Sequence, residues 1–334
     1  MAKRGIPKMS DKGEPSEAPG AAPTESQEPP PAPDVDAEAG PRVAPLNELF
    51  SLQPTQATDE AIRAIINRQV QWIADRHPVT KTHTVVYLYQ SSSLSRSDAN
   101  RIYRALVDAE HAKPLLLFLS STGGEVPPAY FISKLCRQST SDKVKIAVAR
   151  QAKSAATLIC CGADEIHMGG LSELGPIDPQ FGPVPALVLK YSIEHLAQLA
   201  CQYPGAREMF SDYLGRALNI QALGYYERVA ESAKQYAERL LRSRRMAQTS
   251  QEIETIAQRL VYTYKDHGFV IDAGEATDIF GTGIVRSDSP EYLFANELYN
   301  SLDFIEWLIE NDYNRGFSYV GTKNAALVYL KTKP

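Results

Sequence analysis

The sequence predicts an α/β fold with a mainly parallel sheet, followed by additional C-terminal helices. Three observations lead there. Short apolar, β-branched runs alternate with segments of helical periodicity between residues 58 and 169. Two strand-to-helix transitions, "STGGEV" (121–126) and "AKSAATL" (152–158), are built from glycine and other small residues. After residue 182 the pattern becomes largely helical. Strands that alternate with helices imply parallel pairing through right-handed crossovers, which places the strand-to-helix turns along one edge of the sheet.

In chain order, "TDEAIRAIINRQVQWIADRH" (58–77) has helical spacing, with Thr58 or Asp59 as N-cap. "THTVVYLYQ" (82–90) reads as a strand, "SRSDANRIYRALVDAEHA" (95–112) as a helix, and "KPLLLFLS" (113–120) as a buried strand. "GGEVPPAYFISKLCRQS" (123–139) is helical, its prolines fitting a first turn. "KVKIAVAR" (143–150) is the next strand, "SAATLICCGA" (154–163) a short apolar helix, and "DEIHMG" (164–169) a brief strand. Beyond these, residues 186–203, 225–247, 250–268 and 289–313 read as helices, and 325–334 as a strand.

The 334 residues carry a net charge of -5, too weakly charged and of the wrong sign for electrostatic nucleic-acid binding. The four cysteines form no CxxC pair, and the first residues lack the apolar core of a secretory signal, so reduced thiols in a cytoplasmic protein are expected. No apolar run is long enough to span a membrane, which leaves peripheral association open. No histidine pattern matches a metal site, and neither a metal nor a cofactor is expected. Residues 1–42, rich in Pro, Ala and Glu, are expected to form a disordered tail. The basic run Arg239 to Arg245 reads as a solvated helix face.

Two turns carry the chemistry. Gly123 and Gly124 permit backbone conformations closed to other residues, and freed N–H groups there suit a negatively charged oxygen. Ser154 opens the helix after the third strand and is either an N-cap or a nucleophile. The N–H of Ala155 would then join that of Gly123 or Gly124 as an oxyanion donor. No GxSxG elbow is present, which argues against an ordinary α/β-hydrolase.

"SSTGGEV", then "AKSAATLICCGADEIHMG", then "SELGPIDPQFG" together resemble the serine dehydrogenase proteinase family. That family is similar to signal peptide peptidase A and the Clp protease subunit, on a crotonase-like ββα superhelix. The resemblance covers roughly residues 75 to 285 and implies a domain from 45 to 286 with a helical extension over 287–334. It implies an ATP-independent serine peptidase with Ser154 as nucleophile and Gly123, Gly124 and Ala155 supplying the oxyanion hole. It also implies a peptide or protein substrate and a homo-oligomer. Asp178 stands where the Clp protease has its histidine, so a base must come from elsewhere. Lys190, among apolar neighbours 36 residues after the serine, is the expected partner in a serine–lysine dyad. His167, His195 and Asp178 are the other residues weighed as base or orienting group. A catalytically inactive scaffold or adaptor on the same fold is the rival reading. A crotonase-type acyl-CoA enzyme would need an acidic catalytic pair that the sequence does not offer.

Overall fold

A computed structural model describes residues 44–53, 57–107, 109–178, 180–181, 184–185, 188–217 and 220–330. The chain divides into two units after Arg42, and all the described residues belong to the second. The tail expected over residues 1–42 lies outside the described residues.

Three helices open the unit: α1 (Asn47–Ser51), α2 (Asp59–Arg76) and α3 (Pro78–Thr82). Thr58 caps α2 by accepting the Ala61 N–H at 3.2 Å, and the buried stripe Ile62, Ile66, Val70, Ile73 faces the core. Then come β1 (Thr84–Gln90), α4 (Arg96–Leu106), β2 (Leu115–Ser121), α5 (Val126–Gln138), β3 (Val144–Ala152), α6 (Ala155–Cys160) and β4 (Glu165–His167). A reciprocal Ser95–Asp98 capping box starts α4, and Pro127 and Pro128 fit the first turn of α5 because that turn needs no N–H donors.

Short strands β5 (Glu173–Leu174), β6 (Gln180–Phe181) and β7 (Val184–Pro185) lead into helices α7 (Val188–Gln202), α8 (Arg207–Ala217), α9 (Ile220–Leu241) and α10 (Ser250–Gln258). A π-turn at Arg259–Thr263 comes next, then α11 (Ala273–Phe280), β8 (Val285–Arg286), α12 (Pro290–Tyr313), β9 (Arg315–Gly321) and β10 (Ala326–Leu330).

Among the described residues the main sheet runs β10-β9-β1-β2-β3-β4-β8, with β5 paired to β3. β1, β2, β3, β4 and β8 are mutually parallel, as the alternating pattern predicts. Every residue of β2 is buried, as a central parallel strand requires, and its side chains split between the two faces. Leu115, Leu117 and Leu119 join the core under α4, α5, α6 and α9. Leu116 and Phe118 join the core under α2 and α12.

Among its described residues, the segment expected as a helical extension contains one helix and a strand pair. β9 pairs antiparallel with β1 and β10 with β9, covering an edge that β1 would otherwise expose. Phe317 and Tyr319 are buried by this pairing, and Asn324 takes the left-handed turn between the strands at φ 56°.

The basic run also differs from expectation at one position. Arg244 is buried and donates to the carbonyls of Cys161 (2.9 Å) and Cys160 (3.2 Å), with its guanidinium 4.9 Å from the Phe280 ring. Burial pulls its pKa down to about 10. The chain turns inward here because the carbonyls ending α6 need donors. Cys136, Cys160 and Cys161 are free and buried, and burial pushes the Cys136 and Cys161 thiols up to about 12, which makes them packing residues. No helix among the described residues is long and apolar enough to cross a membrane.

Candidate active site

The two turns foreseen in the sequence lie side by side because β2 and β3 are parallel neighbours. Their register shifts between Leu119 and Ser121, where β3 bulges, and the Lys153 N–H then donates to the Ser121 carbonyl at 3.0 Å. The bulge brings Ser154 against the glycine turn. A Cβ placed on Gly123 would come within 2.9 Å of Ser154 Cβ and 2.7 Å of the Lys153 carbonyl oxygen, while φ there is +102°. Gly124 has φ +151°, and its missing Cβ would collide with the Leu94 backbone. Leu94 straps the turn in place: its N–H donates to the Gly123 carbonyl (2.8 Å), and its own carbonyl accepts from the Glu125 N–H (2.9 Å).

The Gly123 N–H is satisfied within the turn by Ser121 Oγ at 3.1 Å. Among the described residues the N–H groups of Gly124 and Ala155 have no acceptor. Two free donors therefore flank Ser154, and Gly123 serves by letting the two turns approach.

Ser154 itself sits at φ 50°, ψ -117°, a region costly for a residue with a Cβ, and its side chain makes no capping bond. The N-cap alternative is thereby removed: the hydroxyl is left for other work. Ala155 and Ala156 are fully buried, so α6 packs close to the sheet and holds the turn. We expect Gly123→Ala to lower any Ser154-dependent activity by at least about 100-fold, as for loss of one oxyanion donor, because the added methyl drives the turns apart. Retained activity in a folded variant would refute that role.

Lys153 points away, as adjacency in sequence requires. Its ammonium pairs with Glu173 Oε2 (2.9 Å) and lies 3.4 Å from the carbonyls of Leu174 and Phe269. Behind the serine, the Thr157 hydroxyl lies 2.6 Å from the Ala152 carbonyl and 2.8 Å from that of Gly175, and accepts the Gly175 N–H at 3.0 Å. Leu174 and Ile271 exchange backbone bonds of 2.8 and 3.0 Å. These contacts gather residues 174–178 and 267–271 around the Lys153–Ser154 turn.

Asp178 and His267 meet there, with Asp178 Oδ2 at 3.9 Å from His267 Nδ1. Asp178 is 3% exposed, and burial lifts its carboxyl to about 6. Its Oδ1 and His267 Nδ1 are both buried without a hydrogen-bond partner. Burial lowers the His267 pKa, against the opposing Asp266 charge and the Asp178 backbone, and the nearby Lys153 charge lowers it further. The sequence points to Asp178 but not to His267. The histidine comes from a turn far along the chain, and only its setting between Asp266 and Gly268 hints at a fixed loop.

The remaining candidates fall elsewhere. Lys190 lies in the first turn of α7, and its side chain is outside the described residues. Its neighbour Tyr191 donates to the Tyr262 carbonyl at 2.8 Å, and its phenol pKa is raised by burial and then by the Asp178 charge, so this turn approaches Asp178. His195 is exposed on α7. His167 is buried on β4, with Nδ1 at 2.7 Å from Ser289 Oγ, on the side of α12. No metal-binding group of three or more His, Cys, Asp or Glu side chains occurs among the described residues.

Residues 53–198 match the model of a family described as ClpP-like SDH-type serine proteinase. An uncharacterized protein of Methanocaldococcus jannaschii is 35% identical over 97 residues, covering 29% of this chain; the chain spans 34% of that relative's length. Two similar solved structures are of a 1510-N membrane-bound stomatin-specific protease. A serine-to-alanine mutant gives a TM-score of 0.40 at 16% identity, covering 64% of this chain and 84% of that one. A lysine-to-alanine mutant in complex with a substrate peptide gives 0.38 at 15% identity, covering 76% and 93%.

Proposed function

We propose that this protein is a serine peptidase that cleaves peptide bonds through an acyl-enzyme on Ser154. One observation carries the reading. A serine held at φ 50° with an uncommitted hydroxyl stands beside two backbone N–H groups that lack acceptors. A peptide carbonyl set over Ser154 would place its oxygen toward the Gly124 and Ala155 N–H groups, which hold the charge that develops during attack. The serine proton passes to a base and then to the departing amine, and water resolves the ester by the same route.

For the base, the approach of Asp178 to His267 supports His267. Asp178 is a buried carboxylate above pH about 6, and its approach to Nδ1 favours the tautomer that leaves Nε2 free to accept the proton. A separation of 3.9 Å would have to tighten by about 1 Å when substrate binds, as such contacts often do. The serine–lysine dyad with Lys190 is the second reading, supported by the approach of the first turn of α7 to Asp178.

Reaction with a fluorophosphonate probe tests both. Wild-type protein should be modified at Ser154, with a rate that falls as pH drops below about 6, because Asp178 is then protonated. His267→Gln should slow labelling by about 100-fold or more, and Lys190→Met should leave it near the wild-type rate. The reverse outcome selects the dyad. Wild-type protein that never labels, at any pH, would instead favour the inactive scaffold.

A further inference from the structure

A groove of about 550 Å³ runs along the seam between α4 and α5. Its walls are Tyr103, 57% exposed, and Phe131, 46% exposed, with Pro127 and Pro128 between them. Exposed aromatic rings facing a concave surface are uncommon on a face with nothing to bind. The floor is shallow near Ala99 and Pro128, both buried, so rings or branched side chains can enter without displacing the helices.

The groove's lining adjoins the glycine turn along the chain. Glu125, at its mouth, comes directly after Gly124, and Arg96 lies two residues after Leu94. The same pair of backbone bonds between Leu94 and the glycine turn, 2.8 and 2.9 Å, fixes the oxyanion donor and the mouth together. Prolines in α5 and the Ser95–Asp98 capping box in α4 make both walls rigid at this end.

The chemistry of the lining selects the occupant. One arginine and one glutamate at the mouth, both exposed, offer one donor and one acceptor and no net charge, which suits a peptide backbone better than an anion. The apolar walls favour apolar side chains. We propose that the α4–α5 groove is a substrate subsite that takes the apolar side chains of an extended peptide segment flanking the bond to be cut. This rests on the serine-peptidase reading. Tyr103 and Phe131 would be its specificity residues, and neither touches the reacting atoms.

The test uses two readouts. Fluorescein-tagged Ala-Leu-Phe-Leu-Ala and Gly-Ser-Gly-Ser-Gly are titrated by fluorescence anisotropy against full-length Ser154→Ala protein, with and without the pair Tyr103→Ala and Phe131→Ala. Both rings are largely solvent-exposed, so folding should survive, and circular dichroism verifies it. The apolar peptide should bind at least tenfold more tightly than the polar one, and the double substitution should erase that preference. Separately, the Ser154-bearing protein with both rings intact is treated with a small fluorophosphonate, which reads the peptidase chemistry on its own. Equal affinity for both peptides, or a preference that survives the loss of both rings, overturns the subsite. Groove-dependent binding of the apolar peptide in a protein that never labels keeps the binding site and discards the peptidase reading.

Discussion

Ser154→Gly is expected to make the protein more stable than Ser154→Ala while both abolish labelling and hydrolysis. The reason lies in the backbone. At φ 50°, ψ -117° any residue with a Cβ is strained by roughly 1–3 kcal/mol, and alanine keeps that cost in full. Glycine releases it, offset by about 0.4–1 kcal/mol for the greater freedom of the unfolded chain. The net gain for glycine over alanine is then about 1 kcal/mol, read from urea unfolding of the two variants. Ser154 is only partly buried, so loss of its small side chain leaves no sealed cavity to confuse the comparison. A glycine variant less stable than the alanine variant would mean that the turn holds no strain and that the serine is placed there by packing alone. Such a cost, maintained at one serine among fully buried alanines, is what a reactive-site residue shows and a helix cap does not.

The same physics decides which parts of the fold and site are legible in the sequence. A close approach of two strand-to-helix turns demands residues without bulk, so "STGGEV" and "AKSAATL" announce themselves in any reading. The parallel strands are legible because their buried faces force continuous apolar runs. His267 is not legible: its partner Asp178 lies far away in the chain, and neither residue bears a local pattern that fixes its role. β9 escapes notice because its alternating residues become a strand only when the exposed edge of β1 needs a neighbour. Arg244 misleads because a basic run looks alike whether its members meet water or the carbonyl ends of another helix. Local signals report local constraints, and pairings across the chain are left for the fold to reveal.

Acid should destabilise the fold well before the carboxylates are protonated, and His167 is the reason. Its side chain is 3% exposed and faces charged groups from every element around it. Glu165 on its own strand lies 3.6 Å from Nε2, and Glu291 of α12 lies 3.7 Å from Nδ1. Lys145 of β3 sits between those carboxylates at 3.6 and 2.6 Å, and Arg286 of β8 adds a further positive charge. Burial dominates and pulls the His167 pKa down to about 4, against 6.5 for a free histidine. The neutral ring is therefore the native form, and no stability is lost at pH above 6.5. As pH falls from 6.5 toward 4, the unfolded chain takes up a proton that the folded protein refuses, so stability declines over that window by about 3 kcal/mol from this residue. His83, also held low by burial, adds in the same direction. Burial raises the carboxyls of Glu165 and Glu291, but Lys143 and Lys145 for the first and Lys145 for the second outweigh it and hold both below the usual value, which extends the loss below pH 4.5. His167→Asn can keep an atom near Ser289 Oγ while removing the titrating ring. Unfolding free energy measured by urea from pH about 7.5 to about 4.5 should fall less steeply in this variant, by up to about 1.4 kcal/mol per pH unit. Parallel curves for the two proteins would show that the proton is taken up elsewhere.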